Sequence, residues 1–387
     1  MSYAETRRII DVDSHVIELD DFLLNAAHPD ERACIPTMSE QRELAVSEEA
    51  LARARQHLKR RREDPQVMAR FEAALLDNRR SGWSRLGAFD REERSHTLDL
   101  LGFEKQLILP TFAFHQVDQV RQPEAKEVCT RVLNRAMGAF CSEDPRLYAI
   151  GYVPLALGPE KSAALIEEAF EDGCYSVMVD TNQPDPTARS FSHADYDDAW
   201  NRFTEHDRPF IIHVAVNGQY QAVSPSFQNN GQPMMELGGD AATTPLGLIA
   251  IKNSAELFLS AMIFDGVFQR HPRLRCISME HGAFWLPAWL KGLDFAAQSL
   301  RHINPMDQAP SEIARQHIRV SPFAGEPVGW IIENVGPEML VFASDYPHPE
   351  GTSDPIRKFE ATMTECDDVT RKAFYYDNMA QWMGLSQ

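Results

Sequence analysis

No Cys-x-x-Cys pair occurs in this 387-residue chain, and its six cysteines (Cys34, Cys129, Cys141, Cys174, Cys276 and Cys366) are widely scattered. That spacing supports neither a thiolate zinc site nor a disulfide framework, so a reducing, cytoplasmic setting is the expectation. Also missing is any run approaching the roughly 18 apolar residues of a membrane span. The opening residues, MSYAETRRII, lack the apolar core and cleavage site of a signal peptide. Basic residues are few: 38 Lys and Arg face 57 Asp and Glu, for a formal net charge of -19. This balance opposes attraction to nucleic acid or anionic lipid, and a small molecule is the expected partner. The basic run Lys59-Arg60-Arg61-Arg62 lies among Glu and Gln at helical spacing and is expected to be a solvated helix face. No glycine-rich nucleotide loop follows any candidate strand, which argues against an open doubly wound sheet.

What the chain does have is a repeating order of elements. From about residue 100, short Val- and Ile-rich runs alternate with stretches of 3.6-residue periodicity, the pattern of βα units around a parallel sheet. The candidate strands are 8–13, 106–110, 148–154, 175–180, 209–214, 275–280, 317–321 and 339–344. With helices between them, such as 158–172 and 196–206, they predict an α/β fold, a distorted (β/α)8 TIM barrel forming one domain over 1–387. Residues 36–95 break the rhythm, being dense in Glu, Arg, Gln and Ala. They predict a helical insertion after the first strand, placed to act as a lid or a subunit contact. The stretch 217–253, with NGQYQ, QNNGQP and GGDAATTP, predicts a second long loop.

In such a barrel the loops converge where the strands end, so polar residues at strand ends are the place to look for chemistry. The first strand leads into Asp13-x-His15, and alternation puts both side chains on one side. The fifth ends in His213, and the eighth, in MLVFASDYPHPEG, delivers Asp345 and then His348. Singly, His213 reads as a core histidine and Asp345 as a turn cap. Together, Asp13, His15, His213 and Asp345 form a set of two carboxylates and two imidazoles whose unpaired burial would cost several kcal/mol, roughly, without a cation.

These stretches, together with GVFQRHPRLRCISMEHGAFWLPAWLKGLD over 266–294, resemble the amidohydrolase superfamily. More narrowly, they resemble its branch containing aminocarboxymuconate semialdehyde decarboxylase, γ-resorcylate decarboxylase and related TIM-barrel metal-dependent hydrolases. The resemblance covers 7–20 and most of 100–385 and leaves the insertion outside. It implies that Asp13, His15, His213 and Asp345 hold one divalent metal ion, zinc first and manganese second, and that Asp345 also transfers protons. Two positions depart from the pattern. Many members begin with His-x-His, and many place a His two residues before a Gly at the end of strand six, where this chain has Glu280 before Gly282 with His281 between. Glu280 and His281 are both catalytic candidates, for holding water or protonating a leaving group. The plainer alternatives are an Arg partner for Glu280 and a helix cap for His281.

His115, Trp285 and His348 are candidate substrate contacts. Against them stand an exposed loop imidazole, helix packing beside Trp289, and a structural hydrogen bond, respectively. Two carboxylates would roughly neutralise a divalent ion and leave its water less acidic than on an all-imidazole site. The main expectation is a hydrolase in which metal-activated water attacks a carbonyl-like carbon of a small aromatic or unsaturated acid, cleaving an amide, lactone or C–C bond. A non-oxidative decarboxylase of a small aromatic or enoic acid is the first alternative, and an inactive barrel serving as a scaffold is the second. The offset at Glu280 favours hydrolysis. The insertion and the Trp-bearing helix are compatible with a homodimer.

Overall fold

The computed structural model describes residues 2–38, 47–77, 82–214, 225–229, 231, 235–236, 242–348, 351 and 353–385. Residues 217–224, 230, 232–234 and 237–241 of the loop expected over 217–253 lie outside the described residues, as do 39–46 and 78–81 of the insertion. Among the described residues the strands are β1 (Ile10–Val16), β2 (Lys105–Pro110), β3 (Leu147–Val153), β4 (Ser176–Val179), β5 (Phe210–His213), β6 (Met235–Glu236), β7 (Ala242–Thr243), β8 (Cys276–Met279) and β9 (Ile318–Val320). β6 and β7 pair only with each other, antiparallel. The other seven form one parallel sheet in the order β1-β2-β3-β4-β5-β8-β9, with helices such as Pro159–Glu171 and Asp197–Glu205 between successive strands. Strand order follows chain order, as right-handed βα crossovers in a barrel require.

The expected eighth strand closes this sheet without forming a regular ladder. Residues 340–346 lie between β9 and β1: Val341 N–H donates to Val320 O (3.1 Å), Val12 N–H to Phe342 O (3.0 Å) and His15 N–H to Tyr346 O (2.7 Å). Two donors that a ladder would use are taken elsewhere. Phe342 N–H bonds Phe374 O (3.1 Å), and Ser344 N–H bonds the Asp11 carboxylate (2.8 Å). β1 is itself irregular, with a register shift against β2 between Asp11 and Ser14. Bulges of this kind re-aim side chains beside functional sites. The molecule is a distorted (β/α)8 barrel, as expected, with its distortion concentrated where the first and last strands meet.

Every residue of β1 is buried, so its alternation separates two interiors rather than core from solvent. Asp11, at the bottom of its polar face, accepts from Ser344 N–H, Ser344 Oγ (2.6 Å) and Gln106 Nε2 (2.9 Å). Burial pushes its pKa up to about 7 against these bonds. It ties three neighbouring segments together beneath Asp13.

The insertion is helical, with Glu48–Glu63 and Pro65–Ala73 followed by Arg91–Leu101, which leads into β2. One expectation is corrected here. Lys59, Arg60 and Arg62 are exposed, but Arg61 shares the buried face of its helix with Leu51 and Ala54. Its guanidinium makes two bonds, of 2.6 and 2.7 Å, to Glu93 and lies over Phe71. Helical periodicity decides the matter: 51, 54 and 61 repeat at i, i+3 and i+10, so one member of the basic run faces inward.

A second adjustment concerns apolar length. Pro245–Phe264 is long and apolar enough, by length and composition, to cross a membrane, and about a third of it is buried. A turn at 251–252 divides it into helices Pro245–Ala250 and Asn253–Phe264. Neither piece reaches the roughly 20 helical residues that a bilayer requires.

Candidate metal centre

Four strand ends converge on one cluster. Asp13 and His15 come from β1, His213 from the end of β5, Glu280 from just after β8, and Asp345 from the closing segment. Asp13 Oδ1 lies 3.2 Å from His15 Nε2 and 3.7 Å from His213 Nε2, and Asp345 Oδ1 lies 3.7 Å from His15 Nε2. Four ligand atoms placed tetrahedrally at about 2.1 Å from a metal stand roughly 3.4 Å from one another. The observed separations bracket that value, and the Asp13, His15 and His213 ligand atoms all fall within 4.8 Å of each other. This donor set fits one divalent cation. His15, Asp345 and His348 form an overlapping group on the same criterion.

Hydrogen bonding orients the rings for such a role. His213 Nδ1 donates to Val214 O (2.8 Å), which turns Nε2 into the cluster, where it is buried and makes no hydrogen bond. Burial favours the neutral His213 ring, yet the Asp13 and Glu280 carboxylates outweigh it and raise the pKa to about 9. Asp13 is shifted the other way, below the usual carboxylate range, because the His15 and His213 rings overcome its burial. His348 bridges Asp345 Oδ1 (3.2 Å, from Nδ1) and Thr111 Oγ1 (2.8 Å, from Nε2), and its ring stacks on His15 with centroids 4.0 Å apart.

Exposure divides the cluster into a floor and a rim. The side chains of Asp13, His15 and His213 are 1–2 % exposed, whereas those of Glu280 and Asp345 are 12 % and 16 % exposed. Glu280 Oε2 lies 3.3 Å from His213 Nε2, which brings this carboxylate to the cluster. Both rim residues have left-handed backbone, with φ of 55° at Glu280 and 53° at Asp345. Such a conformation costs about 1–3 kcal/mol per non-glycine residue and tends to persist at functional sites.

His281 is buried beside the floor. Its Nδ1 bonds Ser278 Oγ (3.0 Å), and its Nε2 has no hydrogen-bond partner. Burial and the His213 charge pull its pKa down to about 3, so the ring is neutral at ordinary pH. It does not cap the following helix. The loop carrying Glu280 and His281 is pinned by Glu326, whose carboxylate accepts from the N–H groups of Ala283 (2.9 Å), Phe284 (3.1 Å) and Phe323 (3.0 Å). Gly282, with φ of 63°, fits beneath this clamp, where an added Cβ would come within 2.8 Å of Glu326 Oε1.

The remaining candidates are placed less centrally. His115 is buried on helix Phe112–Asp118 after β2, its ring 4.0 Å from that of Phe114. Trp285 is buried, with its indole N–H on Gly282 O (2.8 Å) and its ring 5.1 Å from Trp289. Several contributors were not singled out from the sequence. Ser278 shares a strand face with Glu280 by simple alternation, and Thr111 is a hydroxyl at the end of β2, so both carried a strand-end signal. The roles of Glu18, Glu326 and Arg94 had no local signal. Arg94 is fully buried and donates to Gly87 O (2.9 Å), to Ser14 Oγ (3.1 Å) and to the carbonyl of His15 itself.

A family model described as amidohydrolase matches residues 10–385, and the chain belongs to that family. Among curated proteins no sequence matches. Similar solved structures include an amidohydrolase from Mycobacterium avium subsp. paratuberculosis (20% identity, 98% of this chain and 99% of that one covered, TM-score 0.72). Another is 5-carboxyvanillate decarboxylase from Novosphingobium aromaticivorans with bound manganese (18% identity, 98% of each chain, TM-score 0.66). A third is 2,6-dihydroxybenzoate decarboxylase from Rhizobium (14% identity, 98% and 99% covered, TM-score 0.65). At these identities the likeness is one of fold.

Proposed function

We propose that the protein is a metal-dependent, non-oxidative decarboxylase of a small aromatic or enoic acid, the reading that displaces hydrolysis as the main expectation. The observation that carries it is the third carboxylate. Glu280 stands 3.3 Å from His213, alongside Asp13 and Asp345 at the same cluster. Three carboxylates more than neutralise a divalent ion, which weakens its ability to acidify water and so argues against hydroxide attack. A bound cation would supply a seat for an acid bearing a neighbouring oxygen and would stabilise negative charge developing there. Asp13, His15, His213 and Asp345 are the residues that would hold it. Manganese stands beside zinc as the ion to test, because the similar 5-carboxyvanillate decarboxylase holds manganese.

Decarboxylation requires a proton and no added water. The electron pair of the breaking C–C bond stays on the substrate carbon, that carbon takes one proton, and carbon dioxide leaves. Glu280 and Asp345, at the part-exposed rim, are the groups placed to hold and deliver this proton. His348 fixes Asp345 through the 3.2 Å contact. Neutral His281 offers Nε2 as a hydrogen-bond acceptor toward the same space. The similar decarboxylases of 5-carboxyvanillate and 2,6-dihydroxybenzoate support this substrate class.

The test is turnover of 2,6-dihydroxybenzoate and 5-carboxyvanillate by metal-loaded protein in D2O and, separately, in oxygen-18 water. We expect carbon dioxide release, one deuterium on the vacated carbon and no oxygen-18 in the organic product. Oxygen-18 uptake without carbon dioxide release would restore the hydrolase reading.

A further inference from the structure

The insertion and the metal cluster are joined by a chain of contacts that neither the family match nor the donor geometry assigns a role. Glu18, two residues past the end of β1, is fully buried and has no cationic partner among the described residues. Its carboxylate reaches to the end of the neighbouring strand β2 and accepts from the N–H groups of Thr111 (3.0 Å), Phe112 (2.8 Å) and Ala113 (3.3 Å). A buried carboxylate is costly unless its oxygens are satisfied, and here backbone dipoles satisfy them. Thr111, thus fixed, presents Oγ1 to His348 Nε2 at 2.8 Å and to His15 Nδ1 at 3.4 Å. From the other side, Trp83 of the insertion donates its indole N–H to Ile17 O (3.0 Å) and Glu18 O (3.1 Å), while Ile17 N–H bonds Ala88 O (2.8 Å). The Trp83 ring also packs on Phe112, with centroids 5.3 Å apart.

We propose that Glu18 is a positioning residue for the metal centre, acting through Thr111 on His15 and His348, with Trp83 of the insertion bracing it from outside. The inference rests on the metal-dependent reading above. It assigns the described end of the insertion a task distinct from lid or subunit contact: setting the angle of the rings that face the ion. Groups that orient metal-ligating imidazoles typically change metal affinity by about 10–100-fold when removed.

The test uses cobalt(II) as a spectroscopic probe on the full chain, comparing wild type with Glu18→Gln, Thr111→Val, Thr111→Ser and Trp83→Phe. Wild type should take up one cobalt ion. Glu18→Gln and Thr111→Val should weaken cobalt binding by about 10–100-fold and shift its visible absorption bands, Thr111→Ser should recover most of both, and Trp83→Phe should lose less. If Glu18→Gln does not fold, the two Thr111 variants and Trp83→Phe decide the question. Wild-type affinity and spectrum in Thr111→Val and Glu18→Gln, whatever their melting temperatures, would overturn the inference alone. Failure of wild type to bind any divalent ion would instead overturn the metal reading on which it rests.

Discussion

The floor and the rim of the cluster use the same residue types under opposite constraints. Asp13 in the floor is sealed from solvent and flanked by two imidazoles, whereas Glu280 and Asp345 on the rim keep some solvent contact and hold strained backbone. A buried, fully surrounded carboxylate is suited to holding an ion and poorly suited to exchanging protons with a substrate. A part-exposed one at the mouth has the reverse aptitude. The comparison teaches that environment, more than residue type, separates the holding groups from the working ones.

Breaking the floor should have the largest effect. His213→Ala removes the imidazole whose Nε2 faces both Asp13 and Glu280, and metal content measured on the purified variant should fall from about one ion toward zero, with affinity down by at least about 100-fold. Breaking the rim should leave the ion in place. Glu280→Gln is expected to retain metal while kcat for carbon dioxide release drops by about 10²–10⁴-fold. Equal loss of metal in both variants would erase the distinction between floor and rim.

A smaller perturbation sharpens the rim's side of the comparison. Gly282→Ala places a Cβ 2.8 Å from Glu326 Oε1 at a φ of 63°. It should cost about 1–3 kcal/mol in denaturant unfolding and lower turnover while leaving metal affinity within a few-fold of wild type. The smallest effect is expected at a site remote from both. The Arg146 guanidinium holds the Asp144 pKa down to about 2 from its ordinary 3.8. Its contribution to stability is therefore present above pH 3.8 and lost as pH falls toward 2. Asp144→Asn should flatten acid unfolding in that window and leave metal binding untouched.

Much of this arrangement was legible along the chain. The candidate strands ending at 110, 154, 180 and 214 each finish within one residue of an observed strand end; Asp13, His15 and His213 bring their ligand atoms within 4.8 Å of one another, and Asp345 joins His15 and His348 in an overlapping group. The last strand was found in position but not in kind, because Ser344 N–H goes to Asp11 and Phe342 N–H to Phe374, leaving an extended segment where alternation predicts a ladder. Arg61 was misread because charge runs suggest solvent, while helical phase placed that one residue against Glu93. The proposed preference for decarboxylation over hydrolysis turns on Glu280, whose distance from His213 no spacing rule reveals.

Barrel class and the placing of polar residues at strand ends follow from residue type and short-range periodicity, because backbone geometry makes both faces of a strand repeat every two residues. The roles of Asp11, Glu18, Thr111 and Glu326 came from closure of the barrel. Asp11 meets Ser344 across 333 residues and Glu18 meets Thr111 across 93. Contacts over such separations are selected by how the strands are brought side by side and by the need to satisfy every buried donor and acceptor once water is gone.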